Sequence, residues 1–298
     1  MTTFVADPDR VPDAPLVAPG DNGGLHSVFR QRYLLRLLVQ KELQARYQGS
    51  FLGLFWSYIQ PLVRFLAYFL VIGYVFDLQR GVENFPLHIF AGMVMVHYFT
   101  ETFTAGTRSI VRNSGLIRKL SMPREMFPVA SMLVSAYHTL PQIGVLLIGA
   151  LAYGWSPAPL DFVAGLLGFA IIATFGMALA LIFSAANVFF RDFQNVVQTL
   201  GIFTTWSAPM IYSYERIENL FQGHWLEQVY LANPIANGVI LFQQLFWVPT
   251  VPADADLQPV MPDYLLTRGM IVLAVCFVIL AFSQWLFTRL ESKFAERL

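Results

Sequence analysis

The chain has 298 residues and a formal net charge of zero, with 56% hydrophobic and only 13% charged residues. Together with a mean hydropathy of +0.55, this composition excludes a soluble domain of this length and predicts an integral membrane protein. The single cysteine, Cys276, lies in an apolar run, so a disulfide or a cysteine metal site within one chain is excluded.

The chain begins with a segment rich in proline, glycine and aspartate, and we expect residues 1–27 to be a disordered cytosolic tail. It has no apolar core typical of a cleavable signal peptide, so the first span is expected to act as its own insertion signal. Residues 28–48 mix leucines with basic side chains. We interpret them as an interfacial helix whose basic residues meet anionic headgroups; a plain cytosolic helix is the alternative.

Six apolar segments are long enough to cross a hydrocarbon core, which requires about 20 helical residues. They lie at about 54–76, 85–107, 127–152, 160–187, 194–212 and 265–288. An even number of spans leaves both termini on one side, and Lys and Arg concentrate there, so we predict that both termini and the loop 113–128 are cytosolic. In the fourth span, Gly176, Ala180 and Ser184 are spaced four apart, which predicts close helix packing.

The outer region 216–248 contains two apolar runs, 220–232 and 235–248, separated by Asn233 and Pro234. Each run is too short to span the membrane and too apolar for a solvated loop, so we predict re-entrant or interfacial helices broken at the proline. Because irregular backbone at membrane depth needs shelter, the region is expected to line the outer mouth of a pathway.

Two ionisable residues inside the predicted spans, Arg64 and Glu101, fall in the inner half of the membrane when counted at about 1.5 Å per residue. We predict that they form an ion pair. The alternative is that Arg64 reaches the cytosolic interface while Glu101 faces an aqueous pathway.

Aromatic residues are dense, at 15% of the chain. Those in the middle of the first and fifth spans could line a pathway for glycan, because aromatic faces pack against the C–H faces of sugar rings; a lipid-facing belt is the alternative. The predicted channel-lining residues are Tyr58, Phe65, Tyr68, Phe69, Phe203, Trp206 and Tyr212.

The chain lacks a phosphate-binding loop, an H-E-x-x-H motif and a G-x-S-x-G motif. Its five histidines are scattered, and we interpret them as polar residues at interfaces and not as metal ligands. The sequence therefore does not predict an enzyme with its own energy source.

Four local patterns carry a family resemblance. They are Arg46-Tyr-Gln-Gly-Ser50 leading into the first span, the loop from Asn113 to Pro128, Arg191-Asp192, and Pro209-Met-Ile-Tyr212 followed by Asn233-Pro234. In this order they resemble the permease subunits of ABC-2 type exporters, which move lipid-linked polysaccharides such as O-antigen and teichoic acid. The resemblance covers the chain from about residue 30 to its end.

The resemblance implies an all-α fold of six spans in which two copies of this chain pair with two copies of a separate nucleotide-binding ATPase. That partner would bind ATP and Mg²⁺, and this chain would hold no cofactor. A short coupling helix would dock into the ATPase through residues of the 113–128 loop, namely Asn113, Leu116, Ile117, Arg118, Lys119, Leu120, Arg124 and Glu125. Residues 28–48 would form a gate helix, with Arg36, Lys41, Arg46 and Tyr47 as its functional side chains.

The resulting expectation is a permease subunit that exports a lipid-linked glycan across a bacterial inner membrane, in contact with membrane lipids and without nucleic acid. Pro123 and Pro128 would fix the entry into the third span and make the loop a rigid lever. An ABC-2 exporter of drugs or lipids is the alternative within this class. From other classes, a membrane-embedded glycan transferase would need acidic residues at headgroup level, and a secondary transporter would need more titratable groups inside the spans.

Overall fold

The computed structural model describes residues 24–119, 122–221 and 224–297, so most of the predicted tail and Leu120 lie outside the described residues. Within these ranges the chain is helical and contains no β-strand. The helices are α1 (Gly24–Arg30), α2 (Arg32–Tyr47), α3 (Trp56–Tyr68), α4 (Phe85–Arg112), α5 (Ser114–Ile117), α6 (Met126–Ala152), α7 (Pro159–Phe189), α8 (Phe193–Ser207), α9 (Tyr214–Phe221), α10 (Trp225–Ala232), α11 (Pro234–Phe246), α12 (Leu265–Glu291) and α13 (Phe294–Arg297).

Four helices are long and apolar enough to cross a membrane. They are α3 with its π-helical continuation (Trp56–Val75), α6, α7 and α12. These helices agree with the predicted first, third, fourth and sixth spans. The predicted second span is the less apolar, 28-residue α4, and the predicted fifth span contains the 15-residue α8, which is shorter than the usual 20 or so residues. The six-span topology therefore stays a prediction.

The core forms around α4 and α7, whose backbones approach each other closely. A Cβ added to Gly106 would lie 2.5 Å from the Cβ of Ala180, and one added to Gly176 would lie 3.3 Å from Thr102. Small residues permit this approach, as the spacing in the fourth span predicts. Gly168 of the same helix similarly meets α11, because a Cβ there would lie 2.6 Å from the carbonyl oxygen of Gly238.

The outer region folds as short helices, and the predicted break at Asn233-Pro234 is confirmed. Helix α10 ends just before Asn233, whose Oδ1 accepts a hydrogen bond from the backbone N–H of Ile235 at 3.0 Å and so caps α11. Helix α11 is buried along most of its length. Gln243 connects it to the carbonyls of His88 and Pro209, at 3.2 and 2.9 Å. Whether this region is re-entrant stays a prediction.

The predicted helix over 28–48 is present as the end of α1 followed by α2. Val28, Leu35 and Leu38 are buried in one hydrophobic cluster with Met126 and Phe127 at the start of α6. The basic residue Arg36 lies exposed on the opposite side. One side of the helix thus packs against the body of the chain, and its position at a membrane interface stays a prediction.

Candidate functional site

The loop between α4 and α6 contains the four-residue helix α5. Leu116 and Ile117 are partly buried and pack against the hydrophobic cluster that includes α2 and α6. Arg118 and Lys119, which follow directly, are exposed. The apolar residues therefore hold the loop against the body of the chain, and the two basic residues remain exposed.

The side-chain amide of Asn113 joins α2 to the end of α4. Its Oδ1 accepts from Lys41 Nζ at 3.1 Å, and its Nδ2 donates to Glu42 Oε1 and to the Ser109 carbonyl, both at 3.0 Å. The second Glu42 oxygen lies 3.5 Å from Nη1 of Arg112. Because Asn113 is only 5% exposed, its predicted direct contact with an ATPase is corrected: it links two helices of this chain.

The C-terminal end of α2 makes a second connection to the transmembrane helices. Arg46 forms an ion pair with Glu101 of α4. The hydroxyl of Tyr47 contacts Ser57 at the start of α3 and lies 2.8 Å from Nδ1 of His138 in α6. Three of the four predicted gate residues, Lys41, Arg46 and Tyr47, therefore bind other helices of the same chain.

The prediction that Glu101 forms an ion pair with Arg64 is wrong, because its partner is Arg46. Counting residues along each span places both side chains at a similar depth, but it does not show which side chain reaches the carboxylate. Because the last turn of α2 approaches α4, Arg46 occupies that position. Arg64 instead lines a small polar cavity with His97 of α4.

Arg124 and Glu125, at the other end of the loop, are covered by the C-terminal helices. The Arg124 guanidinium donates to the carbonyl of Glu291 and lies 5.7 Å from the centre of the Phe294 ring. Glu125 is fully buried, and its Oε1 accepts from Gln284 Nε2 at 2.8 Å. The prediction that these two side chains belong to a docking surface is corrected, because α12 and α13 occupy that side.

The predicted channel residues fall into two groups. Tyr58, Phe203 and Trp206 are exposed, at 37%, 68% and 61%. The rings of Phe65 and Phe69 are only partly buried, stack at 5.7 Å and pack against the core. The exposed group is consistent with either a pathway or contact with lipid.

Tyr68 and Tyr212, which are partly buried, also pack against the core. Tyr212 donates to the Trp206 carbonyl at 3.1 Å and accepts from the Tyr230 hydroxyl at 3.3 Å, which joins α8 to α10. Burial, and then the nearby Tyr212 hydroxyl, raise the pKa of Tyr230. Tyr230 therefore stays protonated and remains a donor at neutral pH.

Comparison with known proteins identifies the family. Residues 33–247 match the sequence family described as "ABC-2 type transporter". The chain belongs to the ABC-2 type transporter family. This match runs from α2 to the end of α11, so the Asn113 contacts lie within it, and α12 and α13 lie beyond it.

Named relatives of this ABC-2 chain act in polysaccharide export. It is 28% identical over 273 residues to the O-antigen export system permease protein RfbA of Myxococcus xanthus, covering 91% of this chain and 98% of the relative. A Klebsiella pneumoniae protein of the same name is 30% identical over 217 residues, covering 72% of this chain and 80% of that protein. The capsule polysaccharide export inner-membrane protein CtrC of Neisseria meningitidis serogroup A is 23% identical over 262 residues, covering 86% and 93% respectively.

Several residues of these networks are absent from the predicted site residues. Glu42 could have been noticed, since it is the single acidic residue among five basic ones in 28–48. His97, His138 and Gln142 carry no such signal because polar residues of this kind are common at helix interfaces. Glu291 lies 167 positions from Arg124, and no local pattern connects them.

Proposed function

We propose that this chain is the permease subunit of an ATP-driven exporter of a lipid-linked polysaccharide in a bacterial inner membrane. Two copies would form the channel and work with two copies of a separate ATPase subunit that binds ATP and Mg²⁺. Each copy would cross the membrane six times with both termini in the cytosol.

The observation that carries the proposal is the similarity to the Myxococcus xanthus O-antigen export permease, which extends over 98% of that relative's length. The similarity to a capsule polysaccharide export protein points to the same broad substrate class. A polymer of sugars is therefore favoured over a drug or a simple lipid.

The geometry of the loop supports a coupling role. The exposed Arg118 and Lys119 offer a partner two positive charges, while Leu116 and Ile117 pack against the body of the chain. Movement of α5 would reach α2 through Asn113, which is hydrogen-bonded to both Lys41 and Glu42. In this proposal the loop receives the force from ATP hydrolysis and α2 transmits it to the transmembrane helices.

The exposed aromatic faces support a pathway between two copies. Tyr58 on α3, and Phe203 and Trp206 on α8, all lie on the surface of a single chain. A second copy would bring matching faces together, and aromatic rings there could pack against sugar rings. The largely buried α11 would shelter the outer end.

Deletion of the gene in its own host tests the function. We expect lipid-linked glycan to accumulate inside the cell, and we expect the wild-type chain to restore export only together with an ATPase that can hydrolyse ATP. An exporter of drugs or lipids would leave the lipid-linked glycan unchanged. Turnover of a sugar donor by the purified chain without an ATPase would contradict the proposal and indicate a transferase.

Substitution within α5 tests the coupling step. In the reconstituted complex, Leu116→Ser or Ile117→Ser should leave ATP hydrolysis measurable and reduce glycan export. Substitution of Gly115, which has open space around it, by Ala provides a matched control. Normal export in both serine variants would remove α5 from the mechanism.

A further inference from the structure

A small polar cavity of about 170 Å³ lies where α3, α4 and α8 meet. Its polar walls are the side chains of Arg64, Tyr68, His97, Thr100 and Thr205. At about 30 Å³ per molecule in the liquid, this volume corresponds to roughly five or six waters. The cavity therefore suits one compact polar group and is too small for a length of polysaccharide.

Arg64 brings a positive charge to this cavity, and it forms no salt bridge with any carboxylate of the described residues. In residues 24–119, 122–221 and 224–297, the salt bridges join Arg46 to Glu101, Arg80 to Asp77 and Arg112 to Glu42, so none involves Arg64. Arg64 lies eight residues into α3 from Trp56, or about 12 Å along the helix axis. A charge at this depth in a span is costly unless a ligand or water compensates it.

His97 supplies a neutral N–H donor to the same cavity. The Nε2 amide of Gln142 donates to the His138 carbonyl at 3.0 Å, which fixes the orientation of that amide, and it lies 3.2 Å from Nδ1 of His97. An amide nitrogen only donates, so Nδ1 must accept and the proton of the imidazole sits on Nε2. His97 thus presents an Nε2–H.

The two threonines have the opposite character. Thr100 donates its hydroxyl hydrogen to the carbonyls of Val96 and His97, at 2.9 and 3.1 Å, and Thr205 donates to the carbonyl of Gly201 at 3.1 Å. Their oxygens are therefore left as acceptors. The cavity lining therefore combines donors, from Arg64 and His97, with acceptors, from the two threonine oxygens.

We propose that Arg64 and His97 form a subsite for the phosphate group that joins the lipid to the glycan in the exported substrate. A guanidinium binds phosphate oxygens through two parallel hydrogen bonds, and the Nε2–H of His97 adds a third donor. The threonine oxygens accept hydroxyl hydrogens from the first sugar. This inference rests on the proposed function, because it takes the lipid-linked glycan as substrate.

Binding of defined lipids to the full-length chain tests the subsite. The chain is purified in maltoside detergent, which carries no phosphate, and dissociation constants are measured for geranylgeranyl diphosphate, geranylgeraniol and phosphatidylglycerol. We expect Arg64→Gln to weaken geranylgeranyl diphosphate binding at least tenfold, or about 1.4 kcal/mol. Arg64→Lys, which keeps the charge without the planar fork, should fall between Arg64→Gln and the wild type.

Two further variants keep the test decisive. His97→Leu removes the second donor and should weaken the binding of geranylgeranyl diphosphate about threefold. This variant tests the subsite even if Arg64→Gln folds poorly. Arg80→Gln removes a positive charge from an exposed turn, where Arg80 pairs with Asp77 at 2.9 Å. This variant should leave the dissociation constant for geranylgeranyl diphosphate unchanged. Geranylgeraniol should bind all variants equally, because it lacks the phosphate.

The outcomes separate the sources of the phosphate. Equally tight, Arg64-dependent binding of phosphatidylglycerol would make this a site for bilayer headgroups and overturn the substrate assignment. Unchanged diphosphate binding in the Arg64 and His97 variants would overturn the subsite itself, while glycan accumulation in the deletion strain would still support the proposed function. Absence of that accumulation would overturn the proposed function independently of any binding result.

Discussion

The two ends of the loop between α4 and α6 are held by different chemistry. At the α4 end, the buried side-chain amide of Asn113 forms hydrogen bonds to the charged side chains of Lys41 and Glu42. At the α6 end, Arg124 and Glu125 are buried against α12 and α13. Hydrogen bonds to charged groups are individually worth about 1.5–3 kcal/mol, whereas leaving a buried charge without its partner costs about 3–5 kcal/mol. The larger cost indicates that the α6 end is the firmer anchor of the loop.

The largest expected effect comes from removing the anchor. Arg124→Met keeps the length of the side chain but leaves the buried Glu291 carbonyl without its donor and removes the positive charge that favours the ionised Glu291 carboxyl group. We expect a loss of about 3 kcal/mol of unfolding free energy, measured as a lower thermal midpoint of the purified protein in detergent.

Arg118→Met is the matched control for this experiment. Arg118 is exposed in the same loop, so its loss should change stability by no more than about 0.5 kcal/mol. Equal midpoints for the two variants would show that Arg124 is not an anchor. Adding Glu291→Gln to Arg124→Met should recover part of the loss, because it removes the carboxyl group whose charged form Arg124 stabilises.

A smaller change in stability, with a large effect on export, is expected from Asn113→Asp. An aspartate cannot donate to Glu42 Oε1, which Asn113 Nδ2 contacts at 3.0 Å, and it places two carboxylates side by side. We expect a loss of about 1–2 kcal/mol and reduced glycan export with ATP hydrolysis retained.

Reversal of the hydrogen-bond direction tests the same linkage. In the double variant Asn113→Asp with Glu42→Gln, the new glutamine amide can donate to the aspartate, so export should return towards the wild-type rate. A double-mutant cycle then measures the coupling between the two residues. If the double variant is no better than Asn113→Asp alone, α2 and α4 are not connected through this pair.

The smallest effect on stability is expected from substitutions in the middle of the loop, between its two ends. Arg118→Glu combined with Lys119→Glu alters two exposed side chains. The unfolding free energy, followed through the thermal midpoint, should therefore change by about 0.5 kcal/mol or less. Copurification of the ATPase subunit should nevertheless fall, because the charge offered to the partner is reversed. Undiminished copurification would show that the partner binds elsewhere.

Much of the helical architecture could be predicted from the sequence. Apolar runs in four of the six predicted spans correspond to helices that are both long and apolar enough to cross a membrane, because hydropathy and length are local properties. The break at Asn233-Pro234 is also local, since proline lacks the N–H needed to continue a helix and asparagine can cap the next one. The small residues of the fourth span likewise predict the close approach to Gly106.

The site was predictable only in part. The location of the proposed coupling segment follows from its position between two apolar segments, but the orientation of its side chains does not. Asn113, Arg124 and Glu125 all face into the chain, because α2 on one side and α12 with α13 on the other fold against the loop. Counting residues along one helix gives the depth of a side chain in the membrane but not the direction in which it points. For that reason the sequence predicts an ion pair between Glu101 and Arg64.

The sequence by itself determined that this chain is a helical membrane protein with a basic loop between two long helices, because the length and polarity of each segment are set by neighbouring residues. Tertiary structure alone decided which polar groups meet. Arg124 and the Glu291 carbonyl are 167 positions apart, and Arg46 and Glu101 are 55 apart. Such contacts depend on how whole helices pack. That packing pairs Glu101 with Arg46, and Arg64 instead lines the polar cavity beside His97.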